Sequence, residues 1–312
     1  MKRDFLSLLE LSSTEIEKIL DVTEKLKKGK IPSNQFLKGK SIGLVFQKPS
    51  NRTRVSFDIG IYQLGGHCLY LSPREINLGV RESTADVART LSRYLNGIVA
   101  RTFTHQDVVE LAKYASVPVI NGLSDLYHPC QALTDIFSIK EKFGTLKGLT
   151  LAYVGDGNNV CHSLLIACSK VGMHVRVATP KGYEPKADVI KEAKKIATST
   201  QAQITLTNGP KEAVKGAHVI YSDVWISMGQ EEEAKKRLKK FKGFQINKDL
   251  VKRAEKDFIF MHCMPAHRGQ EVSADVIDGP HSIVFDQAEN RLHTQKAIIM
   301  FLFEHKSATN RG

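Results

Sequence analysis

SIGLVFQKPSNRTRVSFDIGIYQ, residues 41–63, is one complete strand–loop–helix unit: an apolar run, a polar loop and a longer helical segment. Toward the C-terminus the same succession repeats, with strands expected at 67–71, 97–101 and 117–120 and a helix from about Pro129 to Phe143. Gly144 and Gly148 then mark a boundary, and a second series opens with strands at 149–154, 174–178, 203–207, 217–222 and 258–262. Strands alternating with helices imply a parallel sheet covered on both faces, so two series imply an α/β chain of two doubly wound parallel-sheet domains joined by interdomain helices. The expected domains are residues 1–143 and 144–286, with a last helix (287–304, within 287–312) burying Ile298, Ile299, Phe301 and Leu302 by packing back on the first domain. Upstream of the opening stretch, SSTE at 12–15 has capping-box spacing, and Ile16, Ile19, Leu20 and Leu26 follow on one helical face until Gly29. No internal repeat or low-complexity segment interrupts this pattern.

Composition agrees with a globular protein: of 312 residues, 42% are hydrophobic and 25% charged. No apolar run reaches the length of a membrane span, and the first residues, MKRDFLSLLELSSTEIEK, lack a signal-peptide core, so a cytoplasmic location is expected. Five scattered cysteines, with no CxxC pair, predict reduced thiols rather than a disulfide framework. A formal charge of +12 invites a nucleic-acid reading. The basic residues are dispersed, however, apart from Lys235, Lys236, Arg237, Lys239 and Lys240. That cluster follows Glu231, Glu232 and Glu233, as expected of an exposed helix with i,i+4 pairs. A positive field also draws in small anionic substrates.

In open parallel sheets, ligands bind beyond the carboxyl ends of the strands, and the unusual residues of this chain fall there. After strand 41–46, Ser50, Asn51, Arg52, Thr53 and Arg54 bunch donors where a helix begins, a ready anion site. The plainer alternative is Ser50 as an N-cap with solvated arginines. Arg101 closes a buried strand, where a guanidinium needs an anionic partner. His128 precedes Pro129 at a helix start, with Gln131 a turn later. In YVGDGNNV, Gly155 and Gly157 suggest a nucleotide loop, but the third glycine is missing. The next strand also ends in Thr179 and Pro180 instead of a ribose-binding acid. Asn158 and Asn159 read better as anchors for a carboxylate or an amino group. Asp223 ends a strand and suits an ammonium, with Ser227 a turn on, although Asp223 equally suits a cap. His262 and Cys263 open HCMPAHRG, which lacks the fourth ligand of a zinc site and so points to a reactive or substrate-contacting thiol. Arg291 begins the final helix.

Taken in order, SNRTR (50–54), HPCQ (128–131), DVWISMG (223–229) and HCMPAHRG (262–269) resemble the motifs of the aspartate/ornithine carbamoyltransferase family, and more closely its ornithine branch. The resemblance runs from Phe5 to about Phe303. It departs at Asn51, where the family usually has Thr, and at Met264, where it usually has Leu; the second change preserves apolar volume. The resemblance implies transfer of a carbamoyl group from carbamoyl phosphate to L-ornithine, giving L-citrulline and phosphate in arginine metabolism, with the active site in the cleft between the domains. It implies that Ser50, Asn51, Arg52, Thr53 and Arg101 hold the phosphate, while Thr53, Arg101 and His128 polarise the carbonyl oxygen. Gln131, Arg291 and the backbone carbonyls of Cys263 and Met264 would hold the carbamoyl NH₂, and Asn77 would reach a neighbouring subunit's site. Asn159, Asp223, Ser227 and Met228 would grip ornithine, with Asp223 and Cys263 orienting or deprotonating its δ-amine. No cofactor and no metal is implied, nor a nucleic-acid or membrane partner; the expected assembly is a homotrimer or an assembly of trimers. Putrescine, N-acetylornithine and aspartate are the rival acceptors.

Overall fold

This computed structural model describes residues 2–227 and 231–308. The chain forms two compact units, one of residues up to Phe137 together with those from Glu289 onward, the other Ser138–Ala288.

The first unit opens with α1 (Ser13–Lys27), whose N-cap Ser12 accepts a hydrogen bond from the Glu15 amide while Glu15 reaches back, completing the capping box. Four parallel strands follow: β1 (Ser41–Phe46), β2 (His67–Leu71), β3 (Gly97–Arg101) and β4 (Val119–Leu123), in the order β2-β1-β3-β4. They alternate with α2 (Asn51–Gln63), α3 (Pro73–Ile76), α4 (Thr84–Tyr94) and α5 (His105–Tyr114). The central strand β3 is buried throughout, as covering on both faces requires. Strand β4 starts two residues later than the apolar run 117–120 suggests, because Pro118 has no N–H for the ladder. It then continues through Gly122, where a Cβ would meet the Ala100 carbonyl at 3.2 Å.

The second unit has five parallel strands in the order β7-β6-β5-β8-β9. These are β5 (Thr150–Val154), β6 (His174–Ala178), β7 (Ile204–Thr207), β8 (Val219–Ser222) and β9 (Ile259–His262). The intervening helices are α7 (Asn159–Val171), α8 (Ala187–Thr200), α9 (Pro210–Val214), α10 (Ala234–Lys240), α11 (Lys248–Val251) and α12 (Ala274–Ile277). Its core gathers Val154, Ile220, Phe241, Phe260 and Val272 around the sheet.

Helix α6 (Pro129–Phe143) starts in the first unit and finishes in the second, where Phe143 meets His218 edge-on at 6.2 Å. The glycine pair at 144 and 148 therefore follows the end of the helix, whereas compactness changes inside it, between Phe137 and Ser138. Helix α13 (Val284–Ala308) starts a turn earlier than expected, its first bonds including Gln287 N–H to the Ile283 carbonyl, so Arg291 lies two turns inside it. Among the described residues no helix is long and apolar enough to cross a membrane.

Candidate active site

The first unit collects its polar residues at the ends of β1, β3 and β4. Ser50 is the N-cap of α2, its Oγ accepting from the Thr53 amide at 3.3 Å, so the capping role of this serine is real. It leaves Asn51 and Arg52 on the first turn, where the free N–H groups and the positive end of the helix dipole favour an anion. Thr53 is buried, and its hydroxyl accepts from Arg291 Nη2 at 3.3 Å. Arg54 turns elsewhere, its guanidinium stacked 3.9 Å from the centre of the Tyr70 ring.

Arg101 ends β3 buried, paired in register with Phe46. His128, also buried, accepts the Ala132 amide through its carbonyl and so caps α6. Burial, followed by the positive charges of Arg291, Arg101 and Arg52, holds the His128 imidazole well below its ordinary pKa of 6.5. The ring is therefore a neutral hydrogen-bonding group among three guanidiniums. Gln131, one turn on, is buried with Oε1 2.7 Å from Arg291 Nη1 and Nε2 2.8 Å from Asp135. Asn77 stands outside this group, in left-handed conformation (φ 38°) at the end of α3 on an exposed turn.

The second unit makes a different arrangement at the ends of β5, β8 and β9. Asp223 is buried and receives three hydrogen bonds: the Val224 amide (2.8 Å) and the Cys263 thiol (3.0 Å) on Oδ1, and Asn158 Nδ2 (2.7 Å) on Oδ2. Asn158 works twice, because its Oδ1 also caps α7 and accepts from Tyr153 Oη at 3.2 Å. Burial lifts the Tyr153 phenol well above its usual 10, so its proton stays available to that bond. Asn159 follows on the first turn of α7, half-buried, and Ser227 is half-buried beyond Asp223. Met228, expected to contact ornithine, lies outside the described residues.

Beyond β9, Met264 adopts a left-handed backbone (φ 57°) and donates its amide to His262 Nδ1 at 2.9 Å. With Nδ1 accepting, the other ring nitrogen, Nε2, lies 3.3 Å from Glu271 Oε1, and both side chains are fully buried. The His262 amide donates to Gln287 Oε1 (3.0 Å), and Gln287 in turn donates to Tyr221 Oη (3.2 Å). Asp223, His262 and Cys263 offer one potential metal-ligand atom each within 4.8 Å among the described residues. The Cys263 thiol is already bonded to Asp223, and three ligands fall short of a structural zinc site.

Gln287 and Glu271 support this group from outside every motif quoted above, while Asn158, expected to anchor a carboxylate or an amino group, bonds the Asp223 carboxylate of the protein itself. The basic run of α10 also differs from expectation. Arg237 is not part of a solvated face: it is buried, with Nη1 3.0 Å from Asp156 and 2.9 Å from the Trp225 carbonyl, and its guanidinium lies over Tyr183 at 5.0 Å. The expected i,i+4 pair with Glu233 does form, at 3.3 Å, but at the edge of this buried contact. Asp156 nevertheless titrates high, at about 6, because burial outweighs the help of Arg237.

Residues 3–141 match the family model described as the aspartate/ornithine carbamoyltransferase carbamoyl-P binding domain, and residues 147–302 the Asp/Orn binding domain of the same family. An ornithine carbamoyltransferase of Thermococcus kodakarensis is 58% identical over 299 residues, covering 95% of each chain. The solved ornithine carbamoyltransferase of Pyrococcus furiosus superposes with a TM-score of 0.93 at 55% identity over 96% of each chain. The anabolic ornithine carbamoyltransferase of Campylobacter jejuni does so with a TM-score of 0.93 at 37% identity, over 98% of this chain and 100% of that one. With ordered motifs, two parallel sheets and both family domains in agreement, the chain belongs to the aspartate/ornithine carbamoyltransferase family.

Proposed function

We propose that this enzyme transfers the carbamoyl group of carbamoyl phosphate to the δ-amine of L-ornithine, forming L-citrulline and phosphate. The observation that carries the choice of acceptor is the Asp223 carboxylate, buried at a strand mouth and held by Cys263 and Asn158. An ammonium is the natural guest of such a group, which favours a substrate with a free α-amine over N-acetylornithine. Aspartate would bring carboxylates instead.

In this reading Ser50, Asn51, Arg52, Thr53 and Arg101 bind the phosphate, and neutral His128 joins Thr53 and Arg101 as donors to the carbonyl oxygen. Gln131, Arg291 and the backbone carbonyls of Cys263 and Met264 take the carbamoyl NH₂. Asn159, Asp223, Ser227 and Met228 take ornithine. The δ-amine, with an ordinary pKa of roughly 10, must first lose its proton to solvent, and the Cys263–Asp223 pair is suited to orient it. Its lone pair then attacks the carbonyl carbon. Charge on the oxygen is met by the fixed donors, the C–O bond to phosphate breaks, and phosphate leaves carrying the amine's second proton.

We further infer a homotrimer or an assembly of trimers. Val55, Ile59 and Tyr62 recur at i, i+4 and i+7 on α2 and are exposed, as is Leu69 on the edge strand β2. Such a stripe suits burial against another copy. Asn77 would then serve a neighbouring subunit. Five free thiols fit a reducing cytoplasm. The test is to supply carbamoyl phosphate with ornithine, putrescine, N-acetylornithine or aspartate and measure the ureido product. Citrulline should dominate; a folded enzyme that makes none refutes the assignment.

A further inference from the structure

Asp135 has no part in the scheme above, yet it touches a residue that does. We propose that Asp135 is a positioning and specificity-determining residue, fixing which end of the Gln131 amide faces the carbamoyl group; the inference rests on the functional reading just given.

The two ends of a glutamine amide have nearly the same shape and opposite hydrogen-bonding character, since the oxygen only accepts and the NH₂ only donates. Here each end meets a partner of fixed character. Arg291 can only donate, and its Nη1 lies 2.7 Å from Gln131 Oε1. The Asp135 carboxylate accepts, and its Oδ1 lies 2.8 Å from Gln131 Nε2. The two contacts select the same orientation. Turning the amide over would set NH₂ against a guanidinium and a carbonyl oxygen against a carboxylate, both inside a site where Gln131 is 1% exposed and Asp135 0%. Asp135 stands one helical turn beyond Gln131 on α6, so the helix itself sets their spacing.

Oε1 retains a second lone pair beside the one engaged by Arg291. A carbamoyl group brings an NH₂ donor, which that lone pair satisfies. Acetyl phosphate carries a methyl group in the same place and gains nothing from it. In the reversed orientation Gln131 would offer a donor to a donor. A buried carboxylate is costly to desolvate, so packing alone gives no reason for one here. The bond from Gln131 offsets part of that cost.

The experiment measures binding of carbamoyl phosphate, acetyl phosphate and inorganic phosphate by calorimetry to the wild type, Asp135→Ala and Asp135→Asn, with a thermal melt of each. Asp135→Ala should weaken carbamoyl phosphate about tenfold, the scale of one hydrogen bond in a buried site, while acetyl phosphate and phosphate change less than about twofold. Asp135→Asn, which keeps one accepting oxygen, should fall between wild type and Asp135→Ala, and it carries the test if Asp135→Ala does not fold. Equal weakening of all three anions, or no change in the preference for carbamoyl over acetyl phosphate, overturns the role of Asp135. A folded wild type that binds neither acyl phosphate overturns the functional reading, and this inference with it.

Discussion

At the scale of single residues, Asp223 and Cys263 share one hydrogen bond at the end of neighbouring strands, and their separation in sequence hides it. Asp223→Asn keeps the size of the side chain but removes its charge. The expected result is an ornithine KM raised at least about tenfold with carbamoyl phosphate affinity little changed, as for loss of a charged hydrogen-bond partner. Arg52→Ala should do the reverse. Steady-state kinetics in both substrates separate the two, and equal losses for both would contradict the assignment. His128 makes a prediction about pH. Its native pKa lies well below 6.5, so as pH falls through 6.5 the unfolded chain takes up a proton that the folded chain refuses. Stability from this group is therefore present above 6.5 and declines below it. The His128 ring resonance should stay at its neutral position as the pH falls from 8 toward 6.5, whereas a midpoint near 6.5 would contradict burial among the arginines. Asp156 has the opposite slope: its pKa, about 6, lies above the ordinary 3.8, so acidification through 6 relieves part of its cost.

At the scale of elements, loops are held by close approaches that few residues allow. A Cβ on Gly157 would sit 2.3 Å from the Pro185 nitrogen, so Gly157→Ala must move the turn that carries Asn158 and Asn159. Its expected signature is a raised ornithine KM with a modest fall in melting temperature; an unchanged KM would mean that the turn adjusts without disturbing Asp223. Ser12→Ala, in contrast, should cost about 1 kcal/mol of stability through its lost cap and leave both KM values alone. Much of the layout was legible at this level. Alternating apolar runs and helical stretches gave the parallel strands, and the chemical residues stood out because they cluster at strand ends, where Ser50–Thr53, Arg101, His128, Asp223 and Cys263 all fall. The supports were not legible. Gln287 and Tyr221 are 66 positions apart, and Arg237 sat in a lysine-rich run that reads as a wet surface until Asp156 is placed beneath it.

For the whole molecule, the surface must be read with the fold in hand. The stripe of Val55, Ile59 and Tyr62 is exposed on one chain, and Tyr62 is 75% accessible. If copies associate there, Ile59→Glu with Tyr62→Glu should shift the species seen by light scattering from an oligomer toward a monomer. An unchanged mass would move the interface elsewhere. Loss of activity in that monomer would follow from the proposed role of Asn77 across subunits.

The chain has a single tryptophan, Trp225, and Arg237 grips its carbonyl two residues from both Asp223 and Ser227. Its indole is 5% exposed and leans on Phe241 at 5.6 Å. Light absorbed at the red edge, where the eight tyrosines contribute little, is therefore emitted from one known place beside the proposed ornithine-binding residues. The protein carries its own optical probe, and titrating it with ornithine needs no label, no coupled assay and no turnover.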